Sequence, residues 1–248
     1  MLRLNHITFA CQDSRALAGF WANVLGYETE PSDVDCFARG DVGPELFFKH
    51  MPKSPTLELP IHLDVNVPDR EAEVQRLLGI GARLVETKTH EIGDLKETWT
   101  VMRDPEGNGF CVQAPPDTAR PYVGNVTFSS AAPRMLGAFW SDALGWPEQE
   151  VPEDFLQMLW DAGLDRAEYD AYYSMRNPDG TRPRFLFQRR EKSRPEHIPI
   201  HLDFTTEDRE AEVERLVKIG AAVEQTKTAG KRTWTIMRDP EGNPFCVE

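Results

Sequence analysis

The sequence is short of the features that tie a chain to nucleic acid, lipid or a disulfide framework. Only 28 lysines and arginines stand against 41 aspartates and glutamates, leaving a formal charge of -13. That sign repels phosphate backbones and anionic lipid surfaces, so neither nucleic acid nor membrane is an expected partner. No stretch approaches the ~20 apolar residues of a membrane span. The opening MLRLNHITFA alternates like a strand and lacks the apolar run and small-residue cleavage site of a signal peptide, so a cytoplasmic location is expected. The four cysteines, Cys11, Cys36, Cys111 and Cys246, show no CxxC spacing and are expected to be reduced. GxGxxG, Walker and GxSxG motifs are absent too, which leaves dinucleotide, phosphate and serine-hydrolase chemistry without support.

What is present is a repeat. IHLDVNVPDREAEVQRLLGIGARLVETKT (61–89) lies over IHLDFTTEDREAEVERLVKIGAAVEQTKT (200–228), and TWTVMRDPEGNGFCVQ (98–113) over TWTIMRDPEGNPFCVE (233–248). Earlier segments match more loosely, with Phe20, Trp21, Leu25 and Gly26 finding Phe139, Trp140, Leu144 and Gly145. The whole unit is therefore duplicated. The expected division is a first domain over 1–115, a linker over 116–121 within APPDTARP, and a second domain over 122–248.

Each copy reads as two strand-helix-strand-strand-strand modules. LNHITFA alternates at period two, and Leu17, Phe20, Trp21, Val24 and Leu25 then recur at helical spacing before Gly26. Short strands follow around CFAR and ELFFKH, then a Pro-rich bend, the strand IHLDVNV, and a helix opened by Pro68 and Asp69. ARLVETKT, TWTVMR and GFCVQ complete the copy, the last two joined by the turn DPEGN, to which no chemistry is assigned. The second copy carries an insertion between Trp146 and Arg184, where Phe155, Leu156, Leu159 and Trp160 fall at helical spacing. That insertion suits a lid or ligand wall, or a cover for the contact between copies.

With LNHITFA opening one module, IHLDV the next and RDPEGNGFCVQ closing the copy, the chain resembles the vicinal oxygen chelate superfamily of glyoxalase I, bleomycin-resistance proteins and extradiol dioxygenases. The resemblance implies an α+β fold. Four tandem βαβββ modules would form two half-open β-barrel glyoxalase-like domains with helices outside. It further implies candidate ligand positions at His6, Lys49, His62 and Gln113 in the first copy and Asn125, Gln188, His201 and Glu248 in the second. Strand periodicity supports inward pointing independently, since Ile61, Leu63 and Val65 share one face of IHLDV while His62 and Asp64 project from the other.

The module pairing is open. If each copy closes its own cavity, neither holds a full metal set; lysine has no lone pair while protonated. If the first module meets the last, His6, His201 and Glu248 converge as two histidines and a carboxylate, suited to iron, zinc, nickel or manganese. His62, Gln113, Asn125 and Gln188 would then line a degenerate, metal-free site. The alternative to a metal is that each IHLD histidine is simply a satisfied polar member of a cavity wall.

The expected function is binding of a small molecule, aromatic or cationic, in a cavity between modules with at most one divalent metal. Trp99, Trp234, Trp160 and Tyr172 are candidate ligand walls. The other expectation is a metal-dependent lyase, isomerase or dioxygenase in which Glu248 and Lys49 act on the substrate. The assembly expected is a monomer with an internal pseudo-dimer, or a homodimer.

Overall fold

A computed structural model describes residues 1–51, 60–93, 95–189 and 198–248. The Pro-rich bend expected over 52–59 lies outside the described residues. The first copy runs β1 (Arg3–Cys11), α1 (Ser14–Leu25), β2 (Glu28–Ser32), β3 (Asp35–Arg39), β4 (Glu45–His50), β5 (Ile61–Asn66), α2 (Arg70–Gly79), β6 (Arg83–Ile92), β7 (Leu95–Arg103) and β8 (Gly109–Gln113). The second runs β9 (Tyr122–Ser130), α3 (Pro133–Leu144), α4 (Glu153–Asp161), α5 (Arg166–Tyr169), β10 (Tyr172–Met175), β11 (Arg184–Arg189), β12 (Ile200–Thr205), α6 (Arg209–Lys218), β13 (Ala222–Ala229), β14 (Arg232–Arg238) and β15 (Pro244–Val247).

One module departs from the expected pattern. After α3 only two strands follow; the first is reduced to a single bridge, Glu148 to Met175, and α4 and α5 are inserted between that bridge and β10. Pro147 and Pro152 flank the bridged residues, and prolines cannot donate to a strand ladder. Leu159 supplies the buried face of α4, and Asp165 closes a capping box with Glu168 at α5.

The strands form two sheets, in the orders β13-β14-β15-β12-β1-β4-β3-β2 and β10-β11-β9-β5-β8-β7-β6. The first module thus joins the last, and the two middle modules join each other. This settles the pairing left open by the sequence, and the result is the α+β glyoxalase-like fold, with one sheet curled into a half-barrel. Along β1, Ile7 and Phe9 are fully buried toward the helices; the same holds for Ile200 and Leu202 on β12. The alternate residues face the hollow of the curl. No helix of the described residues is long and apolar enough to cross a membrane.

The repeated DPEGN turns fasten the sheets together. Trp21 of α1 packs on Phe9 of β1 and Phe110 of β8, with ring centroids 5.4 and 5.2 Å away, and its Nε1–H donates to Asp104 Oδ2 at 3.2 Å. Asp104 is buried and also accepts from the backbone N–H of Glu106 and Asn108 and from Asn108 Nδ2. Glu106, next but one in the turn, accepts from the N–H groups of Gln12 and Asp13 at the start of α1. Trp140, Asp239 and Glu241 repeat this arrangement in the second copy, with Trp140 Nε1 donating to Asp239 at 3.2 Å. Each turn belongs to one sheet and grips a helix packed on the other. All four cysteines are free and buried.

Removing either aspartate strands an indole N–H, an amide and two backbone donors in the interior. Asp104→Ala and Asp239→Ala are each expected to lose about 2 to 4 kcal/mol of stability in urea unfolding. Losses below about 1 kcal/mol would show that the turns are decoration.

Candidate functional site

The site is built on one strand pair. β1 and β12 run antiparallel in a register that sets His6 against Asp203 and Thr8 against His201. Directly opposed side chains on one face of such a pair lie about 5 Å apart at Cβ, so these four groups meet in the hollow. Asp203 Oδ2 is their common point. It accepts from Thr8 Oγ1 at 2.6 Å and faces His201 Nε2 at 3.3 Å and His6 Nε2 at 3.5 Å.

Above this floor lies a cavity of about 650 Å³. Phe37, Phe47, Ile198, Trp234 and Ile236 give it apolar walls, and Phe37 and Phe47 stack at 4.5 Å with His6 edge-on to both. Lys49, Lys227, Cys246 and Glu248 also line it. Arg232 grips Glu248 as a fork, Nε to Oε1 at 2.8 Å and Nη2 to Oε2 at 2.7 Å.

Electrostatics sorts these groups. Burial pushes His6 below its ordinary value against the pull of Asp203, which leaves a neutral imidazole with a lone pair to give. Burial alone would raise Asp203, but His201, His6 and the Thr8 hydroxyl hold it down at about 2. Hydrogen bonding from Arg232 keeps Glu248 low. The Cys246 thiol is pushed up by burial and by the Asp203 charge, so it stays protonated and is a poor ligand.

The donor chemistry suits a divalent ion. Both imidazoles face the same Asp203 oxygen, and 3.3 to 3.5 Å is long for N–H···O bonds, whose usual length is about 2.9 Å. Donors about 2.1 Å from one tetrahedral ion sit about 3.4 Å apart. Among the described residues, His201, Asp203 and Cys246 offer ligand atoms within 4.8 Å of one another, as do His62, Asp64 and Cys111; His6 and Glu248 belong to neither group.

Of the residues singled out from sequence, His6, His201, Lys49, Glu248 and Trp234 line this cavity. Asp203 was not singled out, although IHLD occurs in both copies and period two places it beside His201. Trp160 packs edge-on against Tyr169 within the insertion, Tyr172 is exposed beside Gln188, and Trp99 pairs across the sheet with Gln113. None of these three lines the cavity.

His62, Gln113 and Asn125 belong to the other seam, β5 with β9, where His62 opposes Thr127 and Asp64 opposes Asn125. Here the polar groups satisfy one another. Asp64 Oδ2 accepts from Asn125 Nδ2 at 2.8 Å and Thr127 at 2.7 Å, and Oδ1 faces His62 at 3.3 Å. Arg184 donates to Asn125 Oδ1 at 3.0 Å, Gln113 to Asn66 at 2.8 Å, and Asn66 to the Tyr122 hydroxyl. Although burial lowers it, His62 is held protonated by Asp64.

The sequence profile of the family described as Glyoxalase-like domain matches residues 6–113 and again 125–248. A search of curated proteins found no match to this chain. Among solved structures, glyoxalase I from Zea mays superposes with a TM-score of 0.66 at 13% identity, covering 100% of this chain and 92% of that one. A variant of the same maize enzyme gives 0.69 at 14% identity, with 100% and 92% covered. A Bacillus subtilis protein provisionally described as a dioxygenase gives 0.62 at 13%, with 98% and 84% covered. At these identities the likeness concerns the fold.

The depressed pKa of Asp203 has a sign that can be measured in metal-free protein. A carboxyl held at about 2 when folded, against about 3.9 unfolded, adds stability above the unfolded value and loses it as pH falls through the folded one. Urea unfolding from pH 5 toward pH 2 should cost the native chain about 2 kcal/mol more than Asp203→Asn. Parallel stability curves for the two proteins would contradict the pairing of Asp203 with the histidines.

Proposed function

Because the chain belongs to the glyoxalase-like domain family, we propose that it binds one small oxygen-bearing molecule in the cavity over β1 and β12, beside a single divalent metal ion held by His6, His201 and Asp203. The observation that carries this reading is the convergence of both imidazoles on one carboxylate oxygen at the floor of a ligand-sized cavity. Iron, zinc, nickel and manganese all accept two imidazoles and a carboxylate. When bound, such an ion polarises oxygens of the ligand as a Lewis acid.

The chain's own residues do the rest. Phe37, Phe47 and Trp234 offer flat apolar walls to a planar body. Thr8 fixes the Asp203 carboxylate toward the histidines, as an outer partner orients a metal ligand. Glu248, with its charge already matched by Arg232, supplies negative charge at the edge of the metal site and becomes a ligand itself only by leaving that fork.

Binding is favoured over turnover by the state of the carboxylates. A general base working near neutral pH needs a pKa near that pH. Asp203 sits at about 2 and Glu248 is held low, so neither is tuned to take a proton from a ligand. Lyase or isomerase chemistry through Glu248 would require Arg232 to release it.

Elemental analysis tests the reading on protein purified without chelator or a metal-affinity tag. About one equivalent of metal is expected in the native chain and in His62→Ala, and less than about a tenth in His6→Ala or His201→Ala. Metal retained in full by His201→Ala, or none taken up by the native chain when offered, would overturn the metal site.

A further inference from the structure

The charges of the cavity are paired unevenly. Arg238 Nε meets Glu224 at 2.6 Å, Arg232 meets Glu248 and Asp203 faces the two histidines, while Asp35 accepts the backbone N–H of His50 at 2.7 Å and keeps its charge. Two lining cations remain without an acidic partner among the described residues, Lys49 on β4 and Lys227 on β13. Both residues are exposed and stand on different strands, with the apolar surface of Trp234 beside Lys227, its cross-strand neighbour.

The duplication shows that this imbalance is particular to one cavity. Lys227 corresponds to Lys88, which forms an ion pair with Glu86 at 3.0 Å. The residue corresponding to Glu86 is Gln225, so the copy that lines the cavity keeps the lysine and lacks its partner. Lys49 corresponds to Gln188, an amide. Two separate differences between the copies therefore leave positive charge free on the same cavity, and both vanish at the other seam.

We propose that this cavity selects ligands with an anionic group, a carboxylate by preference, held at the mouth between Lys49 and Lys227 while the apolar body lies along Phe37, Phe47 and Trp234. The proposal rests on the cavity-binding reading above and assigns its substrate class: an apolar or aromatic carboxylate. A cationic ligand, one of the sequence expectations, would meet two unneutralised ammonium groups at the entrance.

A pair of probes separates the charge from the shape. Naphthoate and the uncharged naphthamide have nearly the same body, and their binding is read by calorimetry on chelator-treated protein, so that no metal contributes. The native chain is expected to prefer naphthoate by about tenfold, the scale of one charge-assisted contact. Lys227→Gln and Lys49→Gln, the latter copying its counterpart Gln188, should each cut the preference to about threefold or less while leaving naphthamide binding unchanged. Raising the salt should weaken naphthoate alone. Equal binding of both probes by the native chain, or a preference kept in both variants, would overturn the proposal while leaving the cavity as a binding site. Binding of neither probe would overturn the cavity reading and the proposal with it.

Discussion

The antiparallel pairing of β1 with β12 sets His6 opposite Asp203 and Thr8 opposite His201, and the rest of the cavity follows from that register. The two strands come from opposite ends of the chain, so the floor exists only because the first module pairs with the last. A slip of one residue would turn both histidines into the helix-packed core. Fully buried Ile7, Phe9, Ile200 and Leu202 on the opposite face oppose such a slip, since each would have to move into the hollow. The two DPEGN turns then hold sheet to sheet through Trp21 and Trp140, fixing the walls around the floor.

The same register at β5 and β9 gives a second floor of opposite character. His6 has Asn125 as its counterpart, and Glu45, opposite His6 on β4, has Arg184 opposite Asn125 on β11. At the repeated hairpin, Gln113 and Glu97 stand where the other copy has Glu248 and Arg232. Arg184 and protonated His62 supply the positive charge there, and amides complete the hydrogen bonds. One duplicated frame thus carries a polar cluster closed on itself and another open to a cavity.

Much of this was legible in the sequence because repeats and strand alternation are local signals. The four modules, the core tryptophans and the inward face of IHLD follow from spacing alone. The module pairing did not, because either pairing buries the same apolar faces; coordinates were needed to choose. Asp203 went unassigned because an aspartate after a strand histidine reads as a satisfied wall residue, and its cross-strand neighbours Thr8 and His6 lie almost two hundred residues away. Glu248 reads as a metal ligand, and its partner Arg232 is found only once β14 and β15 pair and bring the two side by side. The insertion read correctly as helical at Leu159, but the resulting loss of one strand from the third module rests on prolines whose effect is tertiary.

The central claim is that one metal-binding point exists and lies between His6, His201 and Asp203. Anomalous diffraction from crystals soaked in zinc or manganese tests it directly. The account predicts a single strong peak within about 2.3 Å of His6 Nε2, His201 Nε2 and an Asp203 oxygen, and none at His62. A peak at His62, Asp64 and Cys111, or a peak held by His201 with His6 turned away, would contradict it.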